Sequence, residues 1–213
     1  MINSKHIIET IKTSKIVAII RGIDRDHILK TAEALLNGGI KVMEITLNRD
    51  DAMESIELVK RKFENEILLG AGTVLTEKQV REAYERGACF IVSPNTDEVV
   101  IKQTKDLNMI SIPGAFSPTE IAKAQQLGAD FVKVFPAGSL GSDYIKAVRG
   151  PLDSIPLLAV GGVNLDNMTE FLKAGAVGLG IGGNLVNKSL IYAEKYDEVE
   201  KIAQSYVKKL EEV

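Results

Sequence analysis

The chain is short of the residues that most often mark a metal site or an oxidising compartment. It has two histidines, His6 and His27, and a single cysteine, Cys89. One histidine falls in a leading helix and the other just past the first strand, so neither belongs to a cluster with ligand spacing. That argues against a histidine-bound zinc and against a Ser-His-Asp triad, and neither a metal nor any other cofactor is expected. One cysteine forms no intramolecular disulfide, which fits a reducing compartment. The net charge is only −3 and there is no basic cluster, which removes nucleic acid from the expected partners. No run approaches the ~20 apolar residues of a membrane span. The start, Met1-Ile2-Asn3-Ser4-Lys5-His6, lacks the apolar stretch of a signal peptide. The expectation is a soluble, cytoplasmic protein whose partners are small molecules rather than a membrane or a nucleic acid.

What is present is a regular alternation. With 213 residues, 45% of them hydrophobic, the chain can bury roughly 70% of its unfolded surface, and a single domain over 1–213 is expected. Short β-branched runs occur at Ile16–Arg21, Val42–Leu47, Leu68–Thr73, Phe90–Pro94, Met109–Gly114, Phe131–Pro136, Pro156–Gly161 and Val177–Gly182. They recur every ~20–26 residues, the step of a strand-loop-helix-loop unit. Between them lie amphipathic stretches. Asp50–Phe63 places Met53, Ile56, Val59 and Phe63 near one face. Thr76-Glu77-Lys78-Gln79 and Ser117-Pro118-Thr119-Glu120 read as helix starts, with Gly87 and Gly128 as the stops. Eight such units predict a (β/α)8 TIM barrel, small for a class of about 250 residues; an open doubly wound sheet is the alternative. An extra N-terminal helix, Ser4–Thr13, is placed across the bottom of the barrel, and Lys195–Glu212 beside the last strand.

In such a barrel the active site lies at the carboxyl ends of the strands, and strand parity selects the side chains that enter it. Lys133 shares a face with Phe131 and Phe135, in apolar company that strips hydration from an ammonium and lowers its pKa. An amine freed in this way attacks carbonyls and forms a Schiff base. On the second strand Met43, Ile45 and Leu47 are assigned to the helices, which turns Val42, Glu44 and Thr46 inward. A carboxylate inside a barrel is costly unless it is paired or functional; a buried salt bridge from Glu44 to Lys133 or Arg21 is the plainer reading. Arg21 follows Val17 and Ile19 on the first strand, and Thr73 follows Leu69 and Ala71 on the third. Lysine, carboxylate, guanidinium and hydroxyl thus converge on one mouth. This set suits imine chemistry on a 2-oxo acid, with Lys133 as nucleophile, Glu44 as proton carrier, and Arg21 and Thr73 on the substrate carboxylate. After the last two strands come Gly161-Gly162 and Gly182-Gly183, which let backbone N–H groups cradle a phosphate.

These residues fall into the ordered motifs Val17-Ala18-Ile19-Ile20-Arg21, Glu44-Ile45-Thr46-Leu47, Gly70-Ala71-Gly72-Thr73-Val74, Ile91-Val92-Ser93-Pro94, Ile112-Pro113-Gly114, Phe131-Val132-Lys133-Val134-Phe135-Pro136 and Gly161-Gly162-Val163. Over nearly the whole chain the series resembles the 2-keto-3-deoxy-6-phosphogluconate (KDPG) aldolases, also called 4-hydroxy-2-oxoglutarate (KHG) aldolases. The resemblance implies a class I aldolase on a (β/α)8 barrel, usually a homotrimer, that cleaves its phosphorylated keto-deoxy acid to pyruvate and glyceraldehyde 3-phosphate. It implies Lys133 as the Schiff-base lysine, Glu44 as the proton shuttle, Thr73 as a pyruvate contact, and Pro94 and Phe135 as walls of the pocket, beside Thr46. The chain departs from the family in three places. Asn48 stands where many relatives carry arginine, with Arg49 one position later. Ala159-Val160-Gly161-Gly162 replaces Pro-Thr-Gly-Gly, and Asn184 replaces a serine after the second glycine pair. These departures look like the branch acting on the 6-phosphogalactonate epimer, with Val160 presenting a methyl surface where threonine offers a hydroxyl. KDPG remains the first expectation, with 4-hydroxy-2-oxoglutarate as a lesser substrate. The rivals are a phosphate-binding barrel of the orotidine-phosphate decarboxylase kind, with Asp130 near a non-imine Lys133, and a barrel that only binds sugar phosphates.

Overall fold

A computed structural model describes residues 3–213; Met1 and Ile2 lie outside the described residues. The chain runs α1 (Ser4–Ser14), β1 (Ile16–Ile20), α2 (Arg25–Asn37), β2 (Val42–Thr46), α3 (Ala52–Phe63), β3 (Leu68–Gly72), α4 (Glu77–Glu85) and β4 (Phe90–Val92). It continues with α5 (Glu98–Asp106), β5 (Ile110–Ile112), β6 (Gly114–Ala115), α6 (Pro118–Gln126), β7 (Val132–Val134), α7 (Ala137–Leu140) and α8 (Ser142–Arg149). The last elements are β8 (Leu157–Val160), α9 (Met168–Lys173), β9 (Gly178–Ile181), α10 (Lys188–Tyr192) and α11 (Tyr196–Lys209).

All strand neighbours are parallel, in the order β5-β4-β3-β2-β1-β9-β8-β7-β6. The two ends of that order, β5 and β6, are the halves of one expected strand, so the sheet is the (β/α)8 barrel. Met109–Gly114 is not continuous because Pro113 has no N–H to give to a ladder. Below the proline, β5 pairs with β4 (Phe90 opposite Ile110); above it, β6 pairs with β7 (Gly114 opposite Lys133). The Pro113 carbonyl still accepts from Lys133 N at 2.9 Å, which carries the seam across.

Local signals explain most helix starts. Ser117 and Glu120 form a full capping box with Pro118 at the first helical position. The Thr76 hydroxyl accepts from Gln79 N at 3.2 Å, but the Gln79 side chain accepts from Leu75 N at 2.8 Å, one residue earlier than a capping box requires.

Two apolar layers result. Outside the sheet, Ile16, Ala18, Ile20, Met43, Ile45, Leu69 and Ala71 meet the helices. Inside it, Val17, Val42, Leu68, Phe90, Phe131 and Leu158 pack together, and Ile7 and Ile11 of α1 close the bottom, where the leading helix is expected. The inner layer has room for large side chains because β3 and β9 contribute glycines: a Cβ at Gly70 would stand 2.3 Å from the Phe90 ring. Helix α11 does not lie mainly beside the last strand as expected. Its principal neighbour is α2, and its buried residues Val199, Ala203 and Tyr206 complete the helical ring. Ala203 sits so near that a Cβ at Gly38 would come within 2.4 Å of its methyl.

Candidate active site

The upper half of the barrel interior holds Lys133 on β7 and Glu44 on β2. They are 7% and 2% exposed, and both line one small cavity otherwise walled by Ile19, Val92, Ile112, Leu158 and Val160. Parity places them as expected: Val42, Glu44 and Phe131, Lys133 turn inward while Met43 and Ile45 turn to the helices. The salt bridge does not form. Among the described residues neither Lys133 Nζ nor the Glu44 carboxylate has an ion-pair partner within 4.0 Å or a hydrogen-bond partner, while no side-chain nitrogen or oxygen is both fully buried and without a partner. Two ionisable groups are therefore buried and held apart, each facing the same space.

Burial sets their acidities. Desolvation lowers the pKa of Lys133, Glu44 pulls it partly back up, and Arg21 pushes it down again. Desolvation raises the pKa of Glu44, against the pull of Lys133 and Arg21. An amine driven toward its neutral form, on one cavity with a carboxyl whose pKa is raised, can act as a nucleophile with a proton carrier. The Phe135 ring, 37% exposed, lies over the lysine, with Nζ 4.8 Å from its centroid.

The position of Glu44 depends on a residue that parity reasoning overlooked. A Cβ at Gly72 would stand 2.6 Å from Glu44 Oε1 and 3.1 Å from Thr46 Cγ2. The small residues at 70 and 72 alternate with Leu69 and Ala71, and that period of two was a readable sign of an inner face left open for neighbours.

Around this centre the other candidates divide. Arg21 follows β1, exposed, with its charge acting on both Lys133 and Glu44. Leu69 and Ala71, whose face Thr73 is expected to share, point to the helices; β3 ends at Gly72, and Thr73 follows at φ 57 in the left-handed region. The face expected to reach the mouth was the wrong one on this strand: Leu69 and Ala71 are extended and outward, while Leu68, Gly70 and Gly72 face the interior. Thr46 is buried and its hydroxyl donates to the Asn48 side-chain oxygen, with a longer approach of 3.4 Å to the Ile20 carbonyl. Arg49 is turned away from the cavity: its guanidinium forks onto Asp51 at 2.8 and 3.2 Å, and Asp51 also accepts from Arg25 N at 3.1 Å. Pro94 is half-buried, its carbonyl 2.3 Å from where a Gly114 Cβ would be.

Val160 ends β8 with its side chain in the cavity wall. Gly161 and Gly162 follow at φ 87 and 77, a conformation that strains any other residue. Gly138 N donates to the Gly161 carbonyl at 2.7 Å, so the start of α7 is pressed onto this turn. After β9 the Gly182 carbonyl accepts from Leu185 N and Val186 N at 2.8 Å each, which forms a helical turn. The first N–H groups of such a turn, at Gly183 and Asn184, find no acceptor inside it. The Asn184 amide donates to the Val163 carbonyl at 3.0 Å and ties the two glycine segments together.

The groups named for rival readings lie elsewhere. Asp130 is occupied by Lys105 at 2.6 Å and by Ser111 N at 2.8 Å. His27 Nδ1 lies 2.6 Å from Asp24, outside the barrel. Burial pushes the Cys89 thiol up to about 12, which leaves it inert.

Comparison with known proteins gives a consistent result. A family profile described as KDPG and KHG aldolase matches residues 7–202. The chain is 34% identical to the 2-dehydro-3-deoxy-phosphogluconate aldolase of Haemophilus influenzae, over 96% of each chain. It is 36% identical to the 2-dehydro-3-deoxy-6-phosphogalactonate aldolase of Escherichia coli, over 80% of this chain and 83% of that one. Among solved structures, KDPG aldolase from Legionella pneumophila, with pyruvate captured as a covalent carbinolamine intermediate, superposes with a TM-score of 0.88 at 27% identity, covering 93% of this chain and 97% of that one.

Proposed function

Since the chain belongs to the KDPG and KHG aldolase family, and is a carbon–carbon lyase, we propose that it works as a class I aldolase with Lys133 as its imine-forming residue. The observation that carries this reading is the pair of buried, mutually unpartnered groups, Lys133 and Glu44, on one cavity. A structural ion pair would bring such groups into contact, since the attraction offsets part of their desolvation. Held apart, they both stay turned to the cavity.

The neutral Lys133 amine adds to the C2 carbonyl of the 2-oxo acid to give a carbinolamine, which loses water to become a protonated imine. Deprotonation of the C4 hydroxyl breaks the C3–C4 bond, its electron pair moves into the imine to give an enamine, and the aldehyde leaves. The enamine takes a proton at C3, and water hydrolyses the resulting imine to release pyruvate and restore the amine. Glu44 carries the protons in these steps, directly or through one water. Arg21, with Thr73 and Thr46 beside it, holds the pyruvate carboxylate, Pro94 and Phe135 wall the pocket, and Gly161, Gly162, Gly182, Gly183 and Asn184 receive the phosphate. The carbinolamine captured in the Legionella relative supports the covalent route.

The substrate assigned first is 2-dehydro-3-deoxy-6-phosphogluconate, giving pyruvate and glyceraldehyde 3-phosphate, with 4-hydroxy-2-oxoglutarate cleaved less well to pyruvate and glyoxylate. Val160 in the cavity wall favours a second reading, the 6-phosphogalactonate epimer, because an apolar wall discriminates only weakly for or against a hydroxyl. Cytoplasmic location, a single domain over 1–213 and a homotrimer complete the proposal; sedimentation tests the last. The deciding experiment is incubation with pyruvate and borohydride. One three-carbon adduct on the Lys133 peptide supports the mechanism, and an adduct on another lysine, or none, sinks it.

A further inference from the structure

The segment that leaves β9 carries a cation that neither the glycine cradle nor the imine chemistry uses. Asn187 caps α10, its side chain accepting from Leu190 N at 3.3 Å, so Lys188 opens the helix and Tyr192 stands one turn later. Both reach back over the end of β1. The Tyr192 hydroxyl donates to the Gly22 carbonyl at 3.1 Å. The Lys188 ammonium takes the space above the same residue: a Cβ at Gly22 would lie 2.6 Å from Lys188 Nζ and 3.6 Å from Asn48 Nδ2. Gly22 sits at φ 68, a conformation that favours glycine.

Two donors therefore stand side by side at the mouth, and the acceptors around them are already taken. The Asn48 side-chain oxygen accepts from Thr46, which leaves its NH2 group as the free end. Of the nearby carboxylates, Asp24 is paired with His27 at 2.6 Å and Asp51 with Arg49 at 2.8 Å. Among the described residues, Lys188 Nζ has no carboxylate within 4.0 Å and no hydrogen-bond acceptor. A short path also links this pair to the reacting layer. Glu44 Oε1 and Thr46 Cγ2 flank the space above Gly72, Thr46 bonds Asn48, and Asn48 borders Lys188. Arg21 acts electrostatically on Lys133 and Glu44, whereas Lys188 acts on neither. Lys188 thus lies over the end of β1, on the segment that leaves β9 and that also carries Gly183 and Asn184.

Resting on the aldolase reading above, we propose that Lys188, with the Asn48 amide, is a specificity-determining contact for the substrate phosphate, meeting it from the β1 side, next to the β9 part of the glycine cradle. A lysine suits this position because its ammonium is a compact charge on a flexible stem that can follow a tetrahedral dianion. Being exposed, it binds without the desolvation cost borne by Lys133.

The test uses the full chain with Lys188→Met and Lys188→Arg, and compares the 6-phosphorylated 2-keto-3-deoxy acid with its unphosphorylated form. Lys188→Met should raise KM for the phosphorylated acid about tenfold, the loss of one charge-assisted contact, and leave kcat within about twofold. KM for the unphosphorylated acid, and the pyruvate concentration that half-saturates borohydride trapping on Lys133, should not move. Lys188→Arg should restore most of the difference, and added salt should weaken phosphate selectivity more in the wild type than in Lys188→Met. An unchanged KM for the phosphorylated acid overturns the proposal. So does an equal rise for both acids, which would mark Lys188 as a prop of the β1 loop, or a rise in half-saturating pyruvate, which would place it on the carboxylate. A wild type that neither cleaves these acids nor traps pyruvate would remove the aldolase reading itself, and this proposal with it.

Discussion

Phe131 and Lys133 stand two residues apart on one strand and face the same interior, yet their layers serve opposite ends. The lower layer joins Phe131 to Phe90, Leu68 and the α1 residues Ile7 and Ile11, with no polar side chain in the cluster. The upper layer holds Lys133 and Glu44 around a cavity, each without a protein partner. Burial in the lower layer contributes about 2–3 kcal/mol for each large side chain. In the upper layer the same burial works against the charged forms, raising the pKa of Glu44 and lowering that of Lys133. The contrast separates burial that stabilises the barrel from burial that disfavours the charged forms of its side chains.

The widest separation between the layers should come from Lys133→Met. Turnover should fall by at least about 10⁴-fold, as for loss of a nucleophile, while the melting temperature at neutral pH stays level or rises. The sign follows from the lowered pKa of Lys133: the neutral amine's contribution to stability is complete above the ordinary 10.5 and is lost as pH falls through the folded value. Neutral pH lies below 10.5, so the lysine is a cost there that methionine removes, while burial also raises the pKa of Glu44. A marked drop in melting temperature would make Lys133 a structural residue.

Phe131→Ala should do the reverse. It should cost roughly 3–5 kcal/mol in denaturant unfolding, with kcat within about twofold wherever the protein remains folded. A large loss of kcat in the folded variant would mean that the two layers are not separable.

Within the upper layer, Glu44→Gln should lower turnover about 10²–10⁴-fold and still allow borohydride trapping. Because the Glu44 charge raises the pKa of Lys133, its removal should shift the pH midpoint of trapping downward. A midpoint that stays or rises would show that the two groups do not sense each other across the cavity.

The smallest change is expected at the rim. Val160→Thr should alter the ratio of kcat/KM for the two phosphorylated epimers by about 10–200-fold, the span of a modest pocket change. A strong wild-type preference for the gluconate epimer, unmoved by the substitution, would show that Val160 does not set the choice.

The chain's own pattern was enough to turn Glu44 and Lys133 to the interior. Alternation along Val42–Thr46 and across Phe131–Phe135 is a property of extended backbone, so the inward turn of Glu44 and Lys133 was legible without knowing their neighbours. The spacing of the strand runs, and capping signals such as Ser117-Pro118-Thr119-Glu120, were local in the same way. Tertiary structure decided whatever depended on a partner distant in sequence or on the backbone leaving the extended region. It split Met109–Gly114 between two neighbours, turned Leu69 and Ala71 to the helices, put Thr73 in the left-handed region, and gave Arg49 to Asp51. It laid α11 against α2, kept Glu44 and Lys133 out of contact, and set Lys188 above Gly22, 166 positions away in sequence. Periodicity carries the direction of a side chain because direction is set by the residue's own backbone; who meets it there is set by closure of the barrel, which brings β1, β2, β7 and β9 to one mouth.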